Sequence, residues 1–130
     1  MSLTAISQPV AQSAILLVED EVLLCWVLEE ALLETGYSVE IATTGNDGLA
    51  ALEGSTRFDL LVTNIQLADG PSGWTLARRA RSINPDIQVL YVSGDSAALH
   101  EAEGVERSLM LSKPFEPDRL QRTIITMLAA

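Results

Sequence analysis

The sequence predicts a doubly wound α/β fold with a five-stranded parallel sheet in the order 2-1-3-4-5. Short apolar runs alternate five times with segments of helical periodicity. Continuous apolar runs are typical of strands buried on both faces, as in a parallel sheet. The connections have ordinary lengths for right-handed crossovers, which place helices on both faces of the sheet. With 130 residues, 48% of them hydrophobic, the chain is long enough to bury one core.

The first strand and helix follow a polar start. Residues 1–13 show no periodicity, and we expect a flexible tail before a domain over 14–130. The apolar run over 14–18 predicts strand 1. Apolar residues recurring from 22 to about 34 predict helix 1. Its inner face is predicted to hold Val22, Leu28, Ala31 and Leu32, widened by Leu24, Cys25 and Val27.

The next elements end at a polar amide. Alternation over 38–42 predicts a strand near a sheet edge. Thr44 is expected to cap a second helix that runs to about Leu52. The apolar run over 58–64 predicts strand 3, which stops at Asn64. In an open α/β sheet, ligands bind beyond such strand ends, so Asn64 marks the predicted site.

The second half repeats the alternation. We expect helix 3 from Trp74 to Ile83, strand 4 over 87–92, a short weak helix over 97–102 and strand 5 over 108–111. A last helix is expected over 117–129, because proline suits the first helical turn. The inner face of this helix is predicted to hold Leu120, Ile124 and Leu128.

Composition excludes several classes of function. The net charge of −10 argues against nucleic acid as a direct ligand and favours a basic protein surface or a cation. No apolar run reaches the roughly 18 residues of a membrane span, and no signal peptide is recognisable. Cys25 is the single cysteine, which excludes an intrachain disulfide and a cysteine-based metal site. We therefore expect a cytoplasmic protein without membrane or nucleic-acid contacts.

Polar residues follow four of the predicted strands. Strand 1 is followed by Glu19 and Asp20, strand 3 ends in Asn64, strand 4 is followed by Ser93, and strand 5 leads to Lys113. Oxygen ligands suit a hard cation, Mg²⁺ before Zn²⁺. An ammonium and a hydroxyl suit phosphoryl oxygens. Together they predict a site that handles a phosphoryl group.

Four motifs, in order and each at a strand end, support a family resemblance. The chain resembles the receiver domain of a two-component response regulator, over about residues 14–129. This resemblance implies a flavodoxin-like (βα)5 three-layer sandwich that signals and is not an enzyme. The motifs are Leu17-Val18-Glu19-Asp20-Glu21, Phe58-Asp59-Leu60-Leu61-Val62-Thr63-Asn64, Val92-Ser93-Gly94 and Ser112-Lys113-Pro114-Phe115.

The resemblance also implies roles for the site residues. Glu19 and Asp20 match the acidic pair that holds Mg²⁺, and the backbone carbonyl of Gln66 matches a third protein ligand. Asn64 matches the aspartate that receives a phosphoryl group from a histidine kinase. The implied partner is therefore a histidine kinase or phosphotransfer protein, docking near helix 1 and the site.

The implied switch lies beside the phosphoryl group. Ser93 matches a hydroxyl that follows this group, and Lys113 matches the lysine that pairs with it, before a cis peptide to Pro114. Met110 stands where an aromatic switch residue is usual, and it cannot copy a tyrosine hydroxyl. Output in the family runs through the face of helix 4, strand 5 and helix 5.

Asn64 is the departure that matters most. An amide oxygen carries no full charge, so we predict that the chain is not stably phosphorylated and that Mg²⁺ binding is weakened. Loss of one of three clustered carboxylates relieves repulsion, which predicts normal or slightly raised stability without metal. The loop after strand 3 also has Ala68 where proline is usual and is one residue longer before Gly73. Whether Asn64 is natural or introduced stays open.

Three alternatives remain. The first is a pseudo-receiver that binds a partner without phosphorylation. The second is a phosphatase or phosphotransferase of the haloacid-dehalogenase type, which fits poorly because that family has Asp-x-Asp after strand 1 and this chain has Glu19-Asp20-Glu21. The third is a flavodoxin-like electron carrier, which the acids after strand 1 disfavour because they would repel a flavin phosphate.

Overall fold

A computed structural model of the chain describes residues 13–94 and 99–129. The fold class is confirmed: five parallel strands form one sheet in the order β2-β1-β3-β4-β5. The strands are β1 (Ala14–Val18), β2 (Ser38–Ala42), β3 (Leu60–Asn64), β4 (Gln88–Ser93) and β5 (Ser108–Ser112). The helices are α1 (Val22–Leu33), α2 (Gly45–Leu52), α3 (Gly73–Ile83), α4 (His100–Glu103) and α5 (Pro117–Ala129).

The sheet separates two apolar cores, because successive strand residues point to opposite faces. One core packs α1 and α5 against one set of strand residues, Ile15, Leu17, Leu60, Val62, Leu90, Val92 and Leu111. The other packs α2 and α3 against the alternate set, Leu16, Val18, Leu61, Val89 and Tyr91. The three-layer arrangement therefore follows directly from strand alternation.

The predicted inner face of α1 was partly wrong, because two of its residues are exposed. Val22 and Val27 are 53% and 47% exposed, whereas Cys25 and Leu28 are buried. The helix is apolar on almost every side, so periodicity alone could not select the face that packs on the sheet. Its outward side holds what we term the α1 apolar face: Val22, Leu23, Trp26, Val27 and Leu33.

The other helices largely match their predictions. The Thr44 hydroxyl accepts a hydrogen bond from the Asp47 amide at 3.0 Å, which confirms the predicted cap of α2. On α5, Met127 is buried beside Leu120 and Ile124, and the predicted Leu128 is only half-buried.

The predicted tail and the predicted start of helix 4 fall mainly on residues 1–12 and 95–98, which lie outside the described residues. Within residues 99–129, α4 begins at His100 and ends at Glu103. None of the helices in the described part of the chain is long and apolar enough to cross a lipid bilayer.

Candidate functional site

The carboxyl edge of the sheet brings most of the predicted site residues together. Parallel pairing of β1, β3, β4 and β5 ends the strands at one edge, with Asn64 paired to Val92 in register. A cleft of about 380 Å³ opens there. It is lined by Glu21, Asn64, Gln66, Ser93, Gly94 and Lys113.

Glu19 and Lys113 form the charged centre of this edge. The Glu19 side chain is fully buried, and Lys113 Nζ lies 3.1 Å from its Oε1. A buried carboxylate costs free energy unless it is paired and hydrogen-bonded. The Lys113 ammonium, on the loop after β5, therefore compensates a charge that directly follows β1.

Asn64 completes the hydrogen bonding of the same carboxylate. Its Nδ2 donates to Glu19 Oε2 at 3.3 Å, and the Glu21 amide donates to that oxygen at 3.1 Å. The Asn64 Oδ1 accepts from the Ile65 amide at 2.8 Å. An ionised aspartate could make the last contact but could not donate to Glu19. The amide thus fits the metal-free site.

Asp20 and Gln66 lie at the outer rim. Asp20 Oδ2 accepts a hydrogen bond from the Ala68 amide at 3.0 Å, which ties the acid to the β3–α3 loop. Among the described residues, no group of three or more His, Cys, Asp or Glu side chains is placed to hold a metal ion. A hard cation here would need amide and carbonyl oxygens as well as carboxylates. The donors present, two carboxylates, an amide and a backbone carbonyl, are of the kind that Mg²⁺ takes.

Two further residues of the predicted switch lie nearby. Ser93 is buried at the end of β4, and its backbone carbonyl accepts from the Lys113 amide at 2.7 Å. The Lys113–Pro114 peptide is cis, as the resemblance implied. Met110 is half-buried and lies beside Tyr91 of β4 in register. It therefore lies on β5, the strand that leads to Lys113, and it is not among the residues that line the cleft.

The β3–α3 loop depends on close backbone contacts. A Cβ on Gly73 would overlap the Asn64 carbonyl oxygen. The carbonyls of Ala68 and Asp69 accept from the Gly45 and Asn46 amides at 2.9 and 2.8 Å. The β3–α3 loop is thus held against the N-terminus of α2. The sequence did not predict that Gly45 and Gly73 are required for these close contacts. The available indication was that a glycine stands at the start of each helix.

An apolar surface adjoins the site. The α1 apolar face includes Leu23 and Trp26, which are 72% and 63% exposed. A groove of about 260 Å³ continues from this helix onto the loop after β5. Its lining residues are Leu24, Val27, Leu28, Lys113, Pro114, Phe115 and Pro117. Exposed apolar area of this kind marks interaction surfaces.

Burial shifts the pKa of one cysteine on α1. The pKa of the Cys25 thiol is raised, first by burial and then by the carboxylates of Glu19 and Glu29. The thiol therefore stays protonated and is not a reactive nucleophile at neutral pH.

Comparisons with known proteins give a consistent family. The model of the family described as response regulator receiver domain matches residues 15–125. The transcriptional regulatory protein ZraR of Salmonella typhimurium is 32% identical over 117 residues, which cover 88% of this chain and 26% of ZraR. The chain thus spans about a quarter of the length of that relative.

Solved structures of receiver proteins are similar in fold to this chain. A response regulator receiver protein from Sinorhizobium medicae is 33% identical with a TM-score of 0.87, over 92% of this chain and 96% of that one. The receiver domain of sensor histidine kinase PA1611 from Pseudomonas aeruginosa has a TM-score of 0.78, over 92% and 99% of the two chains. That structure is described with a magnesium ion in its active-site cleft, and at 22% identity it shows the fold alone.

Proposed function

The chain belongs to the response regulator receiver domain family, and we propose that it serves a two-component phosphorelay with residue 64 at the phosphoacceptor position. The observation that supports this assignment is the convergence of Lys113 Nζ and Asn64 Nδ2 on the buried Glu19 carboxylate. An ammonium at this edge would attract a phosphoryl oxygen, and Ser93 lines the same cleft.

The chemistry depends on which atom stands at position 64. In phosphotransfer from a histidine, a carboxylate oxygen attacks phosphorus in line, the P–N bond breaks and the imidazole leaves. Lys113 would offset charge on the transferred group, and the Ser93 hydroxyl would donate to one of its oxygens. The neutral Asn64 amide is too weak a nucleophile for this attack. The chain as written would therefore engage its partner without becoming stably phosphorylated.

Magnesium belongs to the same proposal. Glu19, Asp20, the Gln66 carbonyl and the Asn64 side chain would hold the ion. When bound, Mg²⁺ neutralises charge on phosphoryl oxygens. With an amide at position 64 the ion meets one anionic ligand fewer, so its affinity is expected to fall. Lys113 and Asp20 keep their hydrogen bonds without it, through Glu19 and Ala68.

The partner is proposed to dock on the α1 apolar face. Trp26 and Leu23 lie on the helix that directly follows Glu19 and Asp20, and the adjoining groove reaches Lys113. A histidine kinase or phosphotransfer protein that covers this face would place its histidine over the cleft. The net charge of −10 favours a partner with a basic rim. We place the protein in the cytoplasm, and not at a membrane or on nucleic acid.

Output is proposed to run through the α4–β5–α5 face. Leu99, Leu109 and Ile125 are 51%, 49% and 46% exposed there. These apolar side chains, one on or next to each element, would contact a downstream protein. Met110 cannot supply an aromatic switch, so the position of α4 must be set by other residues.

A phosphotransfer assay tests the proposal. Wild type and Asn64→Asp are incubated with acetyl phosphate, with and without Mg²⁺, and their intact masses are measured. We expect a gain of one phosphoryl group only for Asn64→Asp with Mg²⁺. Asn46→Asp, an exposed asparagine at the start of α2, is the matched control and should gain nothing. A gain on wild-type Asn64, or none on Asn64→Asp, would overturn the proposal.

A pseudo-receiver is the second candidate, and the hydrogen bonding of Asn64 favours it. Both ends of the amide are bonded, Nδ2 to Glu19 and Oδ1 to the Ile65 amide. The Asn64 amide thus has a hydrogen-bond partner at each end without a phosphoryl group. Equal binding of one histidine kinase to the wild-type and Asn64→Asp proteins, abolished by Trp26→Ala but not by Ile125→Ala, would support it. Binding that requires phosphorylation of the Asn64→Asp protein would exclude it.

A further inference from the structure

The short segment between α4 and β5 is held by side chains from two other elements. The Val105 amide donates to the Tyr91 hydroxyl of β4 at 3.1 Å. From α3, Arg78 Nη1 donates to the Glu103 carbonyl at 3.1 Å, and Arg81 Nη2 donates to the Arg107 carbonyl at 3.2 Å. Every second residue of 103–107 thus has a backbone group fixed by a side chain.

Tyr91 is built into the core beneath this segment. It is fully buried, and its ring centroid lies 4.7 Å from that of Trp74 and 5.5 Å from that of His100. The phenol has a raised pKa, chiefly because of burial, so it remains a neutral hydroxyl. Its neighbour in register on β5 is Met110, which has no hydroxyl to offer.

A chain of hydrogen bonds closes around the same point. Ser108 Oγ donates to the Val105 carbonyl at 2.6 Å, which uses its only proton. His100 Nε2, 2.9 Å from Ser108 Oγ, must then be the donor to it. A Cβ on Gly104 would overlap His100 Cδ2, so glycine leaves room for the ring. His100 therefore carries a proton on Nε2.

We infer that Tyr91, with Arg81 of α3, positions the α4–β5 segment, a role that Met110 cannot fill from β5. Arg81 is suited to this because its Nε also donates to the Ile87 carbonyl at 2.7 Å, so one guanidinium joins two backbone segments. The importance of the segment for output rests on the proposed function. Its positioning by these two residues does not.

The arrangement also gives a route from the site to this segment. Helix α3 begins at Gly73, whose amide donates to the Ile65 carbonyl at 2.7 Å and where an added Cβ would overlap the Asn64 carbonyl oxygen. The same helix carries Arg81 to the far segment. Helix α3 thus contacts the residues next to Asn64 at its first residue and the 103–107 segment through Arg81.

Native-state hydrogen exchange and histidine NMR test the inference on the whole chain, without phosphoryl donor or partner. Tyr91→Phe and Arg81→Gln should each speed exchange of the Val105 amide about fivefold or more relative to slow amides of β1 and β3, as expected for one lost hydrogen bond. The ¹⁵N shifts of His100, the single histidine, should move away from the Nε2-protonated pattern in Tyr91→Phe.

Matched controls separate positioning from general loss of stability. Tyr37→Phe removes the only other tyrosine hydroxyl, and Arg79→Gln removes an α3 guanidinium that bonds Glu53 instead. Neither control should change the exchange rate of the Val105 amide or the ¹⁵N shifts of His100. Unchanged Val105 exchange in both test variants would overturn the inference, as would equal acceleration of all amides or an equal effect of the controls. Because no phosphotransfer is measured, failure of the proposed function would leave these results unaffected.

Discussion

The Asn64 side-chain amide donates to Glu19 Oε2 at 3.3 Å, across the edge where β3 meets the end of β1. Glu19 is fully buried, so the contact compensates part of a desolvated charge. An aspartate at position 64 would instead place a second carboxylate against the first. Asn64 therefore stabilises the charged centre of this edge in the absence of a metal ion.

Asn64→Asp is accordingly expected to lower stability in metal-free buffer. Loss of the donor and the new like-charge contact should cost about 1–3 kcal/mol in free energy of unfolding. Mg²⁺ should restore the loss in Asn64→Asp and stabilise wild type less, because the added carboxylate would be a further anionic ligand under the proposed metal site. Urea unfolding in EDTA measures the loss of stability, and urea unfolding in Mg²⁺ measures how far the ion restores it. An Asn64→Asp protein more stable than wild type in EDTA would contradict the prediction.

Gly73→Ala should disturb position 64 from the other side. The new Cβ would overlap the Asn64 carbonyl oxygen, which is backbone and has little freedom to move. Overpacking of this kind costs about 1–3 kcal/mol, and here the strain falls on the site itself. Gly54→Ala is the matched control, since its nearest atom is at 3.4 Å. Equal urea midpoints for the two variants would argue against this close approach.

Strand order and helix number were predictable because they follow from apolar runs and turn chemistry. The meeting of the polar strand-end residues at one edge was predictable for the same reason, since parallel strands end at a shared edge, whereas the roles of these residues stay predictions. The outward side of α1 was not, because Val22 and Val27 are as apolar as Leu28, and only packing selects between them. The hydrogen bonds between Tyr91 and Val105 and between Asp20 and Ala68 were also not predictable, because they join residues that are distant in the sequence.

The buried thiol of Cys25 should make the free energy of unfolding fall at alkaline pH. Burial raises its pKa above the ordinary value of 9.0 in the folded chain, whereas the unfolded chain keeps the ordinary value. The resulting stability is fully present below the ordinary pKa and is lost as the pH rises through the folded pKa. Urea unfolding between pH 8 and pH 10 should therefore show a steeper decline for wild type than for Cys25→Ala. Parallel pH profiles would contradict this.

Lys113→Met should leave the Glu19 carboxylate buried without its counter-charge. The expected loss is about 2–4 kcal/mol, somewhat below that of a fully buried pair because the Lys113 side chain is 21% exposed. The double variant Lys113→Met with Glu19→Gln should recover most of it, since a neutral amide needs no cation and still accepts from Asn64. Thermal and urea unfolding of the single and double variants measure the coupling.

The exposed pair of Arg122 and Asp118 on α5 is the control for this cycle, because its side chains are 70% and 62% exposed. Arg122→Met should change stability by no more than about 0.5 kcal/mol, and that change should vanish at high salt. The Lys113 effect should persist at the same ionic strength, since a buried pair is poorly screened. If Lys113→Met behaves like Arg122→Met, or if the double variant is no more stable than the single one, the ion pair with Glu19 does not stabilise the fold.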